Sequence, residues 1–313
     1  MLRLVALVVA LVLLLLVLRD QGPQAYAAAR AVGPVAAAGS LVAVLVGLLA
    51  SALVWRALLA DLGTRLPLRP AAHVFFVGQL GKYVPGSVFA VAAQMELGRS
   101  QGAPRSRVGA ASLVFMGVLV CAGLLTAAVA LPLTSPGALD RYAWVLALLP
   151  VGLVLLAPPV LSRLVAVGLR LLRRDPLERP LTWRGTGAAL GWALVMWAAY
   201  GVHLLLLVRT QEVTPGPDLL ALSTGAYALA WTAGFLVVIA PAGAGVREAA
   251  LVLALSPVLD RAPALALAVL SRVLMTLGDL LWGAVGAAAG SGQDGTDVAT
   301  VTKVKQPGKA ADA

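Results

Sequence analysis

The sequence predicts an all-α polytopic membrane protein, and three observations support that class. The 313 residues are 60% hydrophobic and only 12% charged, with a mean hydropathy of +0.93. The apolar residues form long runs, which are typical of membrane-spanning helices and not of the short alternating segments of a β-barrel. The polar stretches between the runs are too short for a separate catalytic domain. The net charge of +10 therefore indicates basic cytoplasmic loops, and not a nucleic-acid-binding surface.

The apolar runs indicate about six full transmembrane helices. The first run, residues 4–18, could also belong to a signal peptide, because Ala25, Tyr26 and Ala27 resemble a cleavage site. Both interpretations of residues 1–27 stay open, since the run with its flanks is long enough to span. The other expected spans cover residues 34–55, 108–131, 142–158, 186–208 and 264–290. The polar tail, residues 291–313, is expected to be disordered and cytoplasmic.

Two segments carry a further pattern. On the second span, Gly39, Ala43, Gly47 and Ser51 fall four residues apart. They form either a stripe of small residues that lets another helix approach closely or a chance pattern in an Ala- and Gly-rich chain. Later, the segment LSRLVAVGLRLLRR has leucines on one side and recurring arginines. It is either a helix lying at the membrane surface or the frayed end of the preceding span.

The arginines predict the orientation of the chain, because short loops rich in Arg or Lys stay in the cytoplasm. The basic loops are residues 56–69, 99–107 and 163–184. Both termini then face the cytoplasm, and an excess of Arg over Lys with abundant Ala suggests a bacterial plasma membrane. Residues 71–98 must leave and return on the cytoplasmic side, and residues 219–255 must do the same on the opposite side. Each of these two segments is therefore expected to be a re-entrant helical hairpin.

The expected elements repeat in the same order. Span, span, hairpin and span occur twice with opposite orientation, which is an inverted-topology repeat. The membrane domain would cover residues 1–290, with halves of about 1–133 and 134–290. In such architectures, broken helices meet near the middle of the bilayer and form a transport site.

The first break in a helix lies in the segment GKYVPG. Pro85 removes a backbone donor, and Gly81 and Gly86 permit a positive φ. Polar backbone is then exposed beside Lys82 and Tyr83, which suits an anion such as a lipid phosphate. The alternative is a proline kink with Lys82 reaching to the membrane surface.

The second break lies in the segment PAGAGVRE. Pro241, Gly243 and Gly245 open the backbone, and the following helix carries Arg247 and Glu248 in its first turn. A helix N-terminus favours anions, so an arginine there needs another reason, such as a phosphate or a carboxylate partner. Lys82 and Arg247 are therefore expected to be the primary contacts of a bound anion.

The last span carries Arg272 and Asp279, which are seven residues apart and share one helix face. Charges within a span are costly and face a cavity or each other. We expect Glu248, Arg272 and Asp279 to form one network, which could bind substrate or be purely structural. His73 and His203 lack companions at metal-ligand spacing, so they are expected to be hydrogen-bonded polar residues. No metal or cofactor is expected.

The two break motifs, GQLGKYVPGSVF and GFLVVIAPAGAGVREAAL, resemble the integral-membrane, flippase-like domain family of the lysylphosphatidylglycerol synthases. The resemblance covers nearly the whole chain and implies movement of lipids or lipid-linked glycans between leaflets. The synthases proper also carry a cytosolic aminoacyl-transferase domain after the membrane part. This chain ends at Ala313 without room for it, so lipid aminoacylation is not expected.

The expected function is translocation of an anionic phospholipid or a polyprenyl-phosphate-type lipid, with membrane lipids as partners. A membrane enzyme would need a nucleophile or base beside the basic cluster, and no such motif occurs. The alternative is a non-transporting scaffold or partner subunit for a lipid-modifying enzyme or a glycosyltransferase. The sequence carries no indication of oligomeric state.

The topology can be tested with a single introduced cysteine, because Cys121 is the chain's one natural cysteine. A cysteine placed in the loop at residues 100–105 of a Cys121→Ala variant should be protected from a membrane-impermeant thiol reagent in intact cells. Labelling of that cysteine from outside would contradict the cytoplasmic assignment of the loop.

Overall fold

The computed structural model describes residues 30–83, 88–134, 137, 146, 148–171, 179–213, 217–236 and 245–291. Every regular element in these ranges is helical, which confirms the all-α class. The α-helices are α1 (Pro34–Asp61), α2 (Leu68–Ala72), α3 (Val88–Ser100), α4 (Arg105–Ala130), α5 (Leu148–Leu156), α6 (Pro158–Leu171), α7 (Trp183–Val208), α8 (Leu219–Leu236), α9 (Val246–Leu255) and α10 (Arg261–Ser291). A π-helical turn, His73–Val77, follows α2, and 3-10 turns cover Leu80–Tyr83 and Pro132–Thr134.

Five of the described helices are long and apolar enough to cross a membrane, which confirms a polytopic membrane protein. Four of them, α1, α4, α7 and α10, correspond to spans that the apolar runs predict. The expected span at residues 142–158 is described except for residues 142–145 and 147, and α5 lies within it. The expected first span at residues 4–18 and nearly all of the expected tail lie outside the described residues.

The arginine-rich segment after residue 158 forms a helix of its own. The axis of α6 is bent by 74° from that of α5, so α6 is not a frayed continuation of the preceding helix. Its apolar side chains Leu161, Val165 and Leu169 are buried, whereas Arg163 and Arg170 are exposed on other faces. This amphipathic division is what the surface-helix interpretation requires, and the position of α6 relative to the membrane stays a prediction.

The small-residue stripe on α1 packs against α7. A Cβ atom added at Gly39 would lie 3.3 Å from Leu206, and one added at Gly47 would lie 2.3 Å from Cε1 of Tyr200. The residue number rises from 39 to 47 in α1 while that of the contacted residue falls from 206 to 200 in α7. The two helices are therefore antiparallel. The stripe therefore does bring two helices together, as small residues do in membrane proteins.

Residues 68–83 and 88–100 form the two arms of a helical hairpin, which we call the first hairpin. A Cβ atom at Gly78 would lie 2.4 Å from Cγ of Gln94, and one at Gly81 would lie 2.8 Å from the backbone nitrogen of Ala90. These pairs show that the two arms run antiparallel in close contact. The second arm, α3, has 13 residues and extends about 20 Å, which is too short to cross a hydrocarbon core of about 30 Å.

The role expected for Gly81 needs a correction. It lies in the 3-10 turn Leu80–Tyr83 and is not among the described glycines with a positive φ. Glycine is needed at this position because the backbone of α3 occupies the space that a Cβ atom would fill. Pro85 and Gly86 lie outside the described residues.

A buried chain of hydrogen bonds fixes the second arm of the first hairpin. Trp55 Nε1 donates to Ser112 Oγ over 3.1 Å, and Ser112 Oγ donates to Gln94 Oε1 over 2.6 Å. All three side chains are buried. The chain links α3 to both α1 and α4, and thereby gives the hairpin a defined position against two spanning helices.

Helices α8 and α9 pack against each other and form the second hairpin. The segment between them, which includes Pro241 and Gly243, lies outside the described residues. α9 has 10 residues and is too short to span, but α8 has 18 residues and is long enough to do so. Residues 219–236 contain neither a proline nor a charged residue that would end the helix earlier.

The packing between the two halves of the chain is reciprocal. α4 packs against α8 of the second hairpin, and α10 packs against the first arm of the first hairpin. α1 and α7, which hold corresponding places in the two halves, pack against each other. A two-fold inverted repeat would produce this pattern, and the repeat and the re-entrant placement of the hairpins stay predictions.

Close packing of α1 on α7 predicts that Gly47→Ala destabilises the protein. Tyr200 has no room to move away, because it is 3% exposed and packs against Trp197 and Tyr227. Overpacking of this kind costs about 1–3 kcal/mol, which a lower thermal unfolding temperature in detergent would show. The matched control is Gly191→Ala in α7, where no atom lies within 4 Å of the new Cβ. If both variants unfold at the wild-type temperature, the contact does not limit packing.

Candidate functional site

The candidate site is built around one face of α10. Arg272, Thr276 and Asp279 follow one another at intervals of four and three residues, which places them on the same side of the helix. Thr276 and Asp279 are buried. This face receives one charged group from each hairpin.

The first hairpin contributes Lys82 and Tyr83. Lys82 Nζ lies 2.7 Å from Asp279 Oδ2, and the hydroxyl of Tyr83 donates a hydrogen bond to the same oxygen over 2.6 Å. The Asp279 side chain is 7% exposed and that of Lys82 is 35% exposed. Asp279 thus has a cation and a neutral donor as partners, while the ammonium group keeps access to the surroundings.

The second hairpin contributes Glu248 from the first turn of α9. Its Oε1 atom lies 2.5 Å from Arg272 Nη1, and its Oε2 atom accepts a hydrogen bond from the backbone of Gly245 over 2.6 Å. Gly245 has a φ of +83°, a conformation that glycine adopts without strain. The carboxylate therefore caps α9 and pairs with α10 at the same time.

The expected single network of Glu248, Arg272 and Asp279 is wrong in one respect. Glu248 and Arg272 pair as predicted, but Asp279 pairs with Lys82. The physical reason is distance, because seven residues of α-helix separate Arg272 from Asp279 by about 10 Å along the axis. Two ion pairs result, and each joins a different hairpin to α10.

Arg247 is the cation of this site that has no acidic partner within the described part of the chain. Its guanidinium lies over the ring of Tyr227, 4.8 Å from the centroid, and donates a hydrogen bond to the Tyr227 hydroxyl. The ring of Tyr227 packs in turn against Tyr200 and His203 of α7. Arg247 is therefore partly buried beside the contact between α8 and α7.

A group of buried polar residues lies next to Tyr227, the partner of Arg247. His203 on α7 is hydrogen-bonded to Ser40 Oγ at 2.6 Å and to Ser271 Oγ at 2.8 Å. Its ring also packs against that of Tyr227, with centroids 5.6 Å apart. Both ring nitrogens have partners, so His203 is a hydrogen-bonded polar residue as expected. The sequence does contain a signal for this group, because its members are isolated polar residues inside apolar runs. Such residues are not expected at positions that face lipid, so they predict positions inside the protein.

His73 lies apart from this group. Its Nδ1 atom is 2.9 Å from the carbonyl oxygen of Gly286, so it ties the π-helical turn to α10. No group of His, Cys, Asp or Glu in the described ranges has the arrangement of a metal site.

The charges of the site do not cancel. Lys82 and Asp279 form one pair, and Glu248 and Arg272 form another. Arg247 adds one positive charge with an aromatic ring as its partner. Of the residues expected to bind an anion, Lys82 is held in an ion pair, and Arg247 is the one whose charge is unbalanced.

These elements define a polytopic helical membrane protein with a polar interior site between two helical hairpins. The chain belongs to the family of the lysylphosphatidylglycerol synthase TM region, whose family model matches residues 3–283. Membership of this family gives the chain a role related to membrane lipids. None of the curated proteins compared with the chain matches it.

Pairing at the site predicts the outcome of two double-mutant cycles. Arg272→Leu alone should lower the free energy of unfolding by about 3–5 kcal/mol, because it leaves a buried carboxylate without its partner. Adding Glu248→Gln, which keeps the capping oxygen, should restore part of the loss. A Lys82→Met and Asp279→Asn cycle should show a smaller coupling, because Lys82 is partly exposed.

The control is the cycle that combines Arg272→Leu with Asp279→Asn, which should be close to additive. Thermal unfolding of the detergent-purified variants measures all three couplings. Strong coupling in this control, or additivity for Glu248 and Arg272, would contradict the two-pair arrangement.

Proposed function

We propose that this protein binds the phosphate group of an anionic lipid between its two hairpins and moves that lipid between the leaflets of a bacterial plasma membrane. The substrate would be an anionic phospholipid or a polyprenyl-phosphate-type lipid, and both chain termini would face the cytoplasm. The observation that carries the proposal is Arg247, a partly buried cation with no carboxylate partner among the described residues.

The chemistry around Arg247 suits a phosphate. A guanidinium offers a fork of donors that matches two phosphate oxygens. Arg247 also lies in the first turn of α9, where backbone N–H groups and the helix dipole favour an anion. The hydroxyl of Tyr227, which now accepts from Arg247, can instead serve as a donor to the bound phosphate.

The two ion pairs supply a reason for movement. Each hairpin is joined to α10 by one pair, and phosphate oxygens can replace a carboxylate as the partner of Lys82 or Arg272. Binding would then weaken one of the two connections and favour a different arrangement of that hairpin. A ligand shifts a conformational equilibrium only through such differential contacts.

We assign no chemical step to the site, so the protein is proposed to be a translocator and not an enzyme. Both carboxylates that could act as bases, Glu248 and Asp279, are engaged in ion pairs. Their oxygens already accept from Lys82, Tyr83, Arg272 and the backbone of Gly245.

The test is a leaflet assay with the full chain in liposomes that contain a fluorescent anionic lipid, either phosphatidylglycerol or a polyprenyl phosphate. A quencher added outside reports the lipid that reaches the outer leaflet. Arg247→Ala should slow translocation tenfold or more, since a hydrogen bond to a charged group contributes about 1.5–3 kcal/mol. Arg247→Lys should keep part of the rate, because it keeps the charge.

The matched control is Arg163→Ala on α6, which removes an exposed arginine outside the site and should not change the rate. Wild-type protein that binds the lipid but leaves its distribution unchanged would favour the scaffold alternative. An unchanged rate for Arg247→Ala, in protein that is inserted and folded, would overturn the assignment of Arg247.

A further inference from the structure

A groove lies on the side of the protein between α1 and α7, close to the C-terminal end of α1. Its volume is about 350 Å³, which is in the range of small-molecule binding sites. Its polar part is formed by Arg56 and Arg65, and its apolar part is formed by Leu53, Ala57, Ala60 and Trp192.

The two arginines have no acidic partners in the described part of the chain. Nε of Arg56 donates to the carbonyl oxygen of Leu66 over 3.0 Å, which leaves its terminal nitrogens as donors. Asp61, the acidic residue closest to them in sequence, is engaged elsewhere, since it accepts hydrogen bonds from the backbone and hydroxyl of Thr182 over 2.8 and 2.6 Å. The groove therefore presents two cations whose charge the protein does not balance.

The apolar wall belongs to membrane-spanning helices. Leu53, Ala57 and Ala60 lie on one face of α1, and Trp192 of α7 is 41% exposed beside them. Trp192 is the tenth of the 26 residues of α7, so its exposed ring lies along the span and not at the end of it. The groove thus offers an apolar surface on the bilayer side and paired guanidinium groups toward the helix end.

We propose that this groove is a second lipid site, which binds a phospholipid with an anionic headgroup. The arginines bind its phosphate, and the wall formed by Leu53, Ala57 and Trp192 packs against the start of an acyl chain. A free phosphate would match the arginines alone, whereas a lipid matches both parts of the groove.

The groove is distinct from the site between the hairpins. Gly47 of α1 lies against Tyr200, which packs on Tyr227 of the interior site, and Arg56 lies nine residues farther along the helix, about 14 Å away. The proposal therefore does not depend on lipid translocation, and it holds for a scaffold as well.

Quenching of Trp192 by brominated lipids tests this proposal. The full chain is placed in nanodiscs with brominated phosphatidylglycerol or with brominated phosphatidylcholine at the same mole fraction. The difference in quenching between wild type and Trp192→Phe isolates the contribution of Trp192. We expect Trp192 to be quenched more strongly by phosphatidylglycerol than by phosphatidylcholine.

Removal of the arginines should reduce that preference by about fivefold for each positive charge lost near the membrane surface. Arg65→Ala is the safest variant, because Arg65 is exposed and makes no ion pair within the described residues. Arg56→Lys should retain the preference, and Arg69→Ala removes an exposed arginine of the same basic segment and serves as the control.

Three outcomes would overturn the proposal. Equal quenching by the two lipids would show that the groove does not select charge. An unchanged preference in both Arg65→Ala and Arg56→Ala would show that these residues do not bind the headgroup. Loss of the preference in excess inorganic phosphate would show a site for the free anion and not for a lipid.

Discussion

The pairing of two charges on α10 is the constraint on which the positions of both hairpins depend. Hydrocarbon provides no partner for Arg272 or Asp279, so protein groups must neutralise them. The two residues stand about 10 Å apart along the helix, and one partner cannot serve both. Glu248 reaches Arg272 from α9, and Lys82 reaches Asp279 from the first hairpin. α10 is therefore the helix against which both broken segments are positioned.

An aromatic contact stabilises the one charge of the site that has no ion pair among the described residues. An isolated guanidinium inside the protein would be costly, but Arg247 rests on the face of Tyr227, whose electron-rich ring attracts a cation. That contact is weaker than a hydrogen-bonded ion pair, so a phosphate can compete for the same guanidinium. The surplus cation is held without being neutralised, which is the condition that an anion-binding site in a membrane must meet.

Much of the architecture could be predicted from the sequence, because hydrocarbon restricts which residues face it. The spans, the breaks and the charged candidates all follow from that restriction. The partner of Asp279 did not follow, since a charge on a helix shows only that a partner exists. The length of α8 could not be predicted, because an apolar segment suits a short arm and a full span equally. Gly81 was assigned the wrong property, as a glycine serves both unusual dihedral angles and close contact. His203, Tyr200 and Tyr227 were not grouped, because their helices are distant in sequence.

The π-helical turn His73–Val77 has a consequence for how the chain presents Lys82. Such a turn holds one residue more than an α-turn, so everything after it is rotated by about 100° relative to a continuous helix. The residues before and after it therefore belong to two helical phases. Phe76, inside the turn, stacks on Trp282 of α10 at a centroid distance of 4.7 Å. Deleting a single residue within the turn would make the helix continuous and would direct Lys82 away from Asp279. The extra residue of the π-helical turn therefore determines the direction in which the Lys82 side chain points.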